Sequence, residues 1–448
     1  ESSVSSSSSR CLDAIRVALN DTCDGKKWFA STQQLQAVSL QLCISCRDSV
    51  AYHVRVRPGT PRRLWDDARK GEPRAIDRRN AVRITIYLMR ELGGAWQLAW
   101  PSSLKHLTFG ENFNEPLDYV RWPPSLQRLT LGWNFNQPVK GVAWPASLVH
   151  LAFGYLFDRP IDGVVWPATL QQLTFGWNFD QPIAGVAWPP NLRRLTFGTS
   201  FNRRIDQGVA WPSSLETLTF GGMFNQPISR VAWPASLQQL TLVGDFDHSI
   251  DMTAWPDTLR TLTLVGNFNQ KLRRESWPAS LEQITLGVHF NQPVVGVSWP
   301  ASLRQLTFGV RFDQPIEGVV WPQALQRLNF GTDFNQPIER AVWPDSLEAL
   351  SFGERFDQPI ANVVWPASLR LLAFGRDFNH PIDCVVWPES LRALAFGASF
   401  DPLVQAVEWP ASLRFGVRFR QAVDRMEWPA SLQKVAFGEP VCTSIASV

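Results

Sequence analysis

The chain lacks the features that catalysis usually leaves in a sequence. Its 448 residues contain no P-loop, no dinucleotide-binding glycine fingerprint, no G-x-S-x-G and no H-E-x-x-H. The six histidines do not fall at the spacing of a catalytic triad, so no enzyme is expected. Long apolar runs are missing too. None approaches the roughly 20 residues that a bilayer-spanning helix needs, and no membrane span is expected. Net charge is only +3, too small to argue for a nucleic-acid partner. That charge is uneven: residues 1–91 carry 16 Lys and Arg against 10 Asp and Glu, which is +6 and leaves −3 for the remainder. The excess lies between Arg55 and Arg90, with Arg62-Arg63 and Arg78-Arg79 pairs. It reads as a solvated cap surface, or as a face for an acidic or phosphate-bearing partner.

Cysteine is also scarce. Four of the six, Cys11, Cys23, Cys43 and Cys46, fall in the first 50 residues. Cys43 and Cys46 have the C-x2-C spacing of half a zinc site, but no second close pair accompanies them. Three readings stay open: reduced core cysteines, disulfides of a secreted cap, or zinc. No cofactor is expected. The chain opens on Glu1 rather than Met, so the lack of a leader carries no weight, and a cytoplasmic location is set ahead of secretion.

What is abundant is tryptophan followed by proline. The dipeptide occurs sixteen times, from Trp100 to Trp428, and thirteen of the fifteen steps are 22 residues. The exceptions are 23 (Trp188 to Trp211) and 19 (Trp409 to Trp428). A fixed period of this length means a solenoid, whose units cannot bury their apolar faces alone and must stack. The commonest unit reads W-P-A-S-L-x-x-L-T-F-G-x-x-F-N-Q-P-I-x-G-V-x. In it, Leu107 and Phe109 alternate with Thr108, the period of a strand. The Gly that follows (Gly110, Gly132, Gly154) reads as a sharp turn. The Asn or Asp after the next Phe (Asn114, Asn136, Asp158) suits an internal ladder of side-chain to backbone bonds. The two prolines exclude regular helix between strands, so the return path should be extended, with a short turn at P-A-S-L.

On these residues, L-x-x-L-T-F-G-x-x-F-N-Q-P-I behind an x-P-x-S-L entry, the chain resembles the FNIP repeat, of the leucine-rich-repeat class. The likeness runs from Trp100 to Phe437. This chain departs from it in having Trp where other FNIP repeats usually carry Leu before Pro. The bulkier ring should fill the side opposite the strands and hold the outer arc open. The resemblance implies a repeat solenoid with a parallel β-sheet on its concave face, an irregular or extended convex side, and a protein-binding role. Neither the F-box nor the kinase domain that often accompanies such arrays is visible in residues 1–91. Sixteen strands at about 4.8 Å would make a sheet about 75 Å long, large enough for a folded macromolecule.

The expected organisation is a Ser-rich tail and small, mainly α cap over residues 1–91, the array over 92–438, and a tail over 439–448. Helical patterns are read at roughly 10–20, 32–45 and 78–92, the last from Val82, Ile86, Met89 and Leu92. The cap should cover the first strand's exposed edge.

The repeat consensus is structural, so recognition should lie where equivalent positions differ. The third residue of L-x-x-L and the Thr after the strand Leu should face the concave side. The third-residue column is polar and partly basic early on (His106, Arg128, His150, Gln172, Arg194) and turns apolar at Ala349, Leu371 and Ala393. The Thr column ends in Ala373 and Ala395. These five apolar side chains mark either an interaction patch or a surface buried by the terminal region. Trp133, Tyr155 and Trp177, just past the strands of three successive repeats, should form one column. It is either a cover for the strand edge or a hot spot for a protein partner, with carbohydrate as the alternative ligand. Nucleic acid is not expected, because no continuous basic stripe accompanies the rings. Self-assembly through the apolar C-terminal end is a third possibility. The residue inserted between Phe201 and Trp211 should bulge on the loop side. Lys271, Arg273 and Arg274 form a small basic patch, read mainly as solvated surface. The shortened repeat after Trp409 should add little to the sheet.

Overall fold

In each 22-residue unit only one short segment alternates inward and outward, and it becomes the strand. The computed structural model describes residue 100, residues 102–272 and 277–401, and the backbones of five further strands. These five are β1 (Val38–Ser45), β2 (Ser49–Val56), β3 (Ala81–Leu88), β18 (Ser412–Phe415) and β19 (Lys434–Phe437). Between them lie fourteen strands, one per repeat. They run β4 (His106–Phe109), β5 (Arg128–Thr130), β6 (His150–Ala152), β7 (Gln172–Thr174), β8 (Arg194–Thr196), β9 (Thr217–Phe220) and β10 (Gln239–Gly244). They continue as β11 (Thr261–Gly266), β12 (Gln283–Leu286), β13 (Gln305–Thr307), β14 (Arg327–Asn329), β15 (Ala349–Ser351), β16 (Leu371–Ala373) and β17 (Ala393–Ala395). From β2 to β19 each strand pairs in parallel with the next. From β4 to β17 equivalent residues of successive repeats are opposite one another, as in Leu129 with Leu151. The inserted residue is absorbed outside the sheet. Arg194 still pairs with Thr217, while the chain bends through 206–208, where Arg204 clamps Asp206 with bonds of 2.7 and 3.0 Å.

Three aromatic and aliphatic columns fill the interior. The second Phe of each unit forms an unbroken stack from Phe113 to Phe400, with steps from 5.8 to 6.3 Å. The strand-end Phe rings step more closely, 5.4 to 5.7 Å, wherever Phe occupies consecutive units. On the far side Trp-Pro indoles stack at 6.2 to 6.5 Å in pairs such as Trp144–Trp166 and Trp233–Trp255, and many meet the strand-end Phe edge to face, as in Trp144 with Phe153 at 90°. Parallel strands lie about 4.8 Å apart. Spacing therefore widens steadily from sheet to indoles, which makes the sheet the concave side, as expected from the bulk of Trp. Every described Trp-Pro indole Nε1 is buried without a hydrogen-bond partner.

Polar ladders hold the loops. The Asn or Asp carboxamide or carboxylate oxygen of one repeat accepts the backbone N–H of its counterpart 22 residues on, from Asn114 and Asn136 (2.8 Å) to Asn379 and Asp401 (2.9 Å). In most units the following Gln donates to the same oxygen, as Gln314 does to Asn291. The Ser of P-A-S-L donates to the Leu carbonyl of the preceding unit, Ser147 to Leu126 at 2.7 Å, and the Leu N–H closes a tight turn onto the Pro carbonyl.

Three expectations are corrected. The α cap is not found: residues 38–45 and 81–88, inside two of the segments read as helix, are strands, and the pattern at 10–20 lies outside the described residues. Val82, Ile84, Ile86 and Leu88 alternate with Arg83, Thr85 and Tyr87, a period of two that outweighs the three-to-four coincidence of Val82, Ile86 and Met89. The first repeat's edge is covered as anticipated, but by β3, paired in parallel with β4. The shortened repeat after Trp409 is a full member of the sheet, since β18 pairs on both sides. The post-strand glycines Gly110, Gly132, Gly154, Gly176 and Gly198 do not turn through a left-handed backbone; the left-handed glycines are others, such as Gly141 and Gly185 in the loops and Gly244 and Gly266 at the ends of β10 and β11. A Cβ on Gly154 or Gly176 would collide with the carbonyl oxygen of the equivalent glycine one repeat earlier.

One unit departs from its neighbours at the convex loop. Met252 occupies the position that glycine holds in many repeats and takes it at φ 62°, the single non-glycine residue among those described with positive φ. The next residue, Thr253, is 5% exposed and its hydroxyl has no partner, where most units bury a Val. A buried unsatisfied hydroxyl costs about 1–3 kcal/mol. Thr253→Val should therefore raise stability by about 1 kcal/mol in urea unfolding, and a lowered midpoint would contradict this assignment.

Candidate recognition surface

Two parallel lines of side chains cross the N-terminal half of the concave face. The first is a row along the strands. Backbone register places Arg83, His106, Arg128, His150, Gln172 and Arg194 opposite one another in succession. The row exists because a parallel sheet with a 22-residue repeat brings the same position of each unit to the same height. Arg128 and Arg194 are exposed, and His106, His150 and Gln172 half-buried. His150 Nδ1 lies 2.7 Å from Gln172 Oε1, so the ring donates to the amide oxygen from that nitrogen. Burial pushes the His150 pKa down, the bond to Gln172 opposes this, and the nearby Arg128 charge lowers it further.

The second line is the aromatic column in the turns after β5, β6 and β7. Trp133 and Tyr155 stack at 4.1 Å with planes 3° apart, and Tyr155 and Trp177 at 5.3 Å and 16°. Trp133 is 52% exposed and Trp177 45%. Trp133 lies five residues beyond Arg128, at most about 17 Å along the chain. The two lines flank the Thr column and are not in contact through any bond described.

At the C-terminal end the expected apolar patch is smaller than its sequence suggested. Leu371, Ala373, Ala393 and Ala395 are half-buried, and Ala349 is only 4% exposed. Ala349 has the longer Arg327 and Leu371 opposite it on the adjacent strands, and its short side chain lies below theirs.

A feature that sequence reading missed is on the opposite side. Val320, Val342, Val364 and Val386, each just before a Trp-Pro tryptophan, are 76–82% exposed in four successive units. The signal was present as V-V-W-P in three of these units and A-V-W-P in the fourth, in which the first residue is buried (Val319, 4%; Ala341, 8%) and the second must face outward. Among the described residues no group of His, Cys, Asp and Glu could hold a metal. Cys43 lies on β1, whose side chains are not described, and Cys46 lies outside the described residues, as do Arg273 and Arg274. No described helix is long and apolar enough to cross a membrane.

A parallel stack of short strands, concave on the sheet side and returning through extended loops, defines a solenoid of the leucine-rich-repeat type. The FNIP repeat model matches residues 122–156, 188–223, 268–311, 290–333, 312–355 and 356–399, so FNIP repeats run across residues 122–399 of the chain. CroV588, solved as a novel circular leucine-rich-repeat protein, is similar at 38% identity, with 80% of this chain and 53% of that one covered and a TM-score of 0.70. The chain thus spans about half the length of that relative. An internalin (inlF) from Listeria monocytogenes is a remoter likeness, 14% identical over 65% of this chain and 80% of its own, with a TM-score of 0.41. No curated protein matches the chain.

Proposed function

We propose that the protein is a non-catalytic recognition scaffold that binds a protein partner on its concave face. The observation that carries this reading is the aromatic column. Two large exposed Trp rings are held at a fixed place, outside the repeat's structural consensus, beside an open sheet. Rigid aromatics and arginine are the side chains that most often dominate protein interfaces. The basic row, with Arg128, His150, Gln172 and Arg194, and the patch around Leu371 are the further contact regions of this reading. The FNIP array and its leucine-rich-repeat class supply the same expectation at the level of fold, which by itself does not assign a partner.

Carbohydrate is the second reading, and the stacking weighs against it. A sugar docks on a free ring face, but Tyr155 has both faces covered and each Trp has one covered. What the column offers is ring edges and one outer face on each Trp, not a broad platform. The test is capture from native lysate by the wild type and by a Trp133→Ala/Tyr155→Ala/Trp177→Ala form of equal thermal stability, followed by titration of the purified captured protein. We expect the triple variant to lose at least about tenfold in affinity, a hot-spot effect. An unchanged affinity would make the column structural. Glycan-array binding abolished by Trp133→Ala with Trp177→Ala would transfer the site to sugar.

A further inference from the structure

Several arginines of this array are neutralised by a neighbouring unit. Arg193 pairs with Glu216 at 2.8 Å, Arg260 with Glu282 at 2.6 Å, Arg203 with Asp180 at 2.8 Å and Arg355 with Asp333 at 3.2 Å. Arg128 and Arg194 are among those that are not. Both are exposed on the concave face, and neither forms an ion pair with any described residue. The strands from β4 to β8 contain no carboxylate, only His, Arg, Gln, Thr, Ala, Leu and the strand-end Phe. Cations stacked on adjacent strands repel one another, and the repulsion is visible where Arg128 disfavours charge on His150. The protein thus places uncompensated positive charge on β5 to β8, whereas the same columns carry Gln and Thr from Thr217 to Thr307, up to the exposed Arg327 on β14.

We propose that the row from Arg128 to Arg194 binds an extended acidic polypeptide segment, its carboxylates forming charge-assisted bonds to the two guanidinium groups. The proposal rests on the concave-face reading above and adds the chemistry of the partner. Three strand steps of about 4.8 Å separate Arg128 from Arg194, roughly 14 Å. An extended chain advances about 3.3 Å per residue, so two carboxylates about four residues apart match this span. Guanidinium groups hold carboxylates through two parallel bonds, which gives direction as well as attraction. Gln172 between the cations can donate and accept at the segment's backbone once it exchanges its bond with His150. A nucleic acid fits less well. Its phosphates follow one another every few ångström and call for a continuous basic stripe, which Gln172 interrupts, and the nearby rings have few free faces for bases to stack on.

The test is selection of random peptides displayed on phage against the full chain and against an Arg128→Glu/Arg194→Glu form. Arg128→Gln/Arg194→Gln serves as a second variant should charge reversal disturb folding. Peptides selected by the wild type are expected to carry Asp or Glu at about four-residue spacing. They should bind either variant at least about tenfold more weakly and lose affinity with salt. The charge-reversed form should instead select Lys and Arg. Neutral or basic peptides from the wild type, or acidic peptides indifferent to both substitutions, would overturn the proposal. So would oligothymidylate binding the wild type more tightly than any selected peptide and losing that affinity in the variants. Neutral peptides that still depend on Trp133, Tyr155 and Trp177 would leave the concave-face reading standing while removing the acidic partner. Peptides indifferent to the rings, to the arginines and to a Thr219→Arg/Thr263→Arg obstruction of the sheet would remove both.

Discussion

Gly176→Ala should destabilise the protein by more than about 4 kcal/mol, a cost seen only where a substitution forces backbone apart. The added methyl would fall on the Gly154 carbonyl oxygen, with the Tyr155 Cα of the same peptide unit 3.1 Å away. Nothing in that contact is the far end of a flexible side chain. The obstruction is main chain, and main chain moves only if the two repeats separate. A matched control isolates the cause. Gly185 has φ +71° and open space around its missing Cβ, so Gly185→Ala should cost only the left-handed backbone penalty of roughly 1–2 kcal/mol. Urea unfolding of the two variants separates the readings: equal losses would mean that the glycine column is kept for backbone freedom and not for close approach.

Phe312→Ala should cost about 3–5 kcal/mol, as for other fully buried aromatics. Phe312 is 0% exposed and meets Phe290 at 6.1 Å, Phe334 at 6.0 Å and Phe308 at 4.0 Å. Removing it opens a gap in a stack that otherwise runs without interruption through the array. Because each repeat touches only its neighbours, the loss is local in origin, and the units on either side must hold their shared interface without it. Hydrogen exchange should show amides of the units around Phe312 opening at lower free energy than those near Phe157, at the other end of the column. Uniform acceleration along the whole chain would contradict nearest-neighbour coupling.

Much of this architecture was legible in the sequence because a strict period converts position into space. Once the 22-residue step is known, Asn136 must lie over Asn114 and Trp133 beside Tyr155, and the ladder and the ring column follow. What the period could not supply was the reason for a residue. Glycine after the strand reads as a turn when one unit is considered alone, and only the neighbour 22 residues away reveals the carbonyl that excludes a side chain. Ala349 reads as exposed by its place in the strand, but its neighbours on the adjacent strands are longer. Outside the repeats the period offered no help. There, two competing periodicities in 81–88 had to be judged on a single copy, and the helical one was wrong. The basic row was visible as a list of residues. That Arg128 and Arg194 have no carboxylate partner, while Arg193 and Arg260 do, required the side chains in place.

The indole column has a consequence beyond packing. Stacked neighbours such as Trp144 and Trp166 are 6.2–6.5 Å apart with nearly parallel rings, and every described Trp-Pro indole nitrogen is shut away from hydrogen-bonding partners. Chromophores so near and so alike exchange excitation before they emit, and their dry surroundings deny them the solvent relaxation that reddens exposed tryptophan. The Trp-Pro indoles should therefore fluoresce toward the blue limit for tryptophan, beside a redder contribution from the exposed Trp133 and Trp177, with emission depolarised by migration between stacked rings. Light absorbed at one repeat is shared with the next, and a quencher placed at a single position darkens more of the solenoid than the unit it touches.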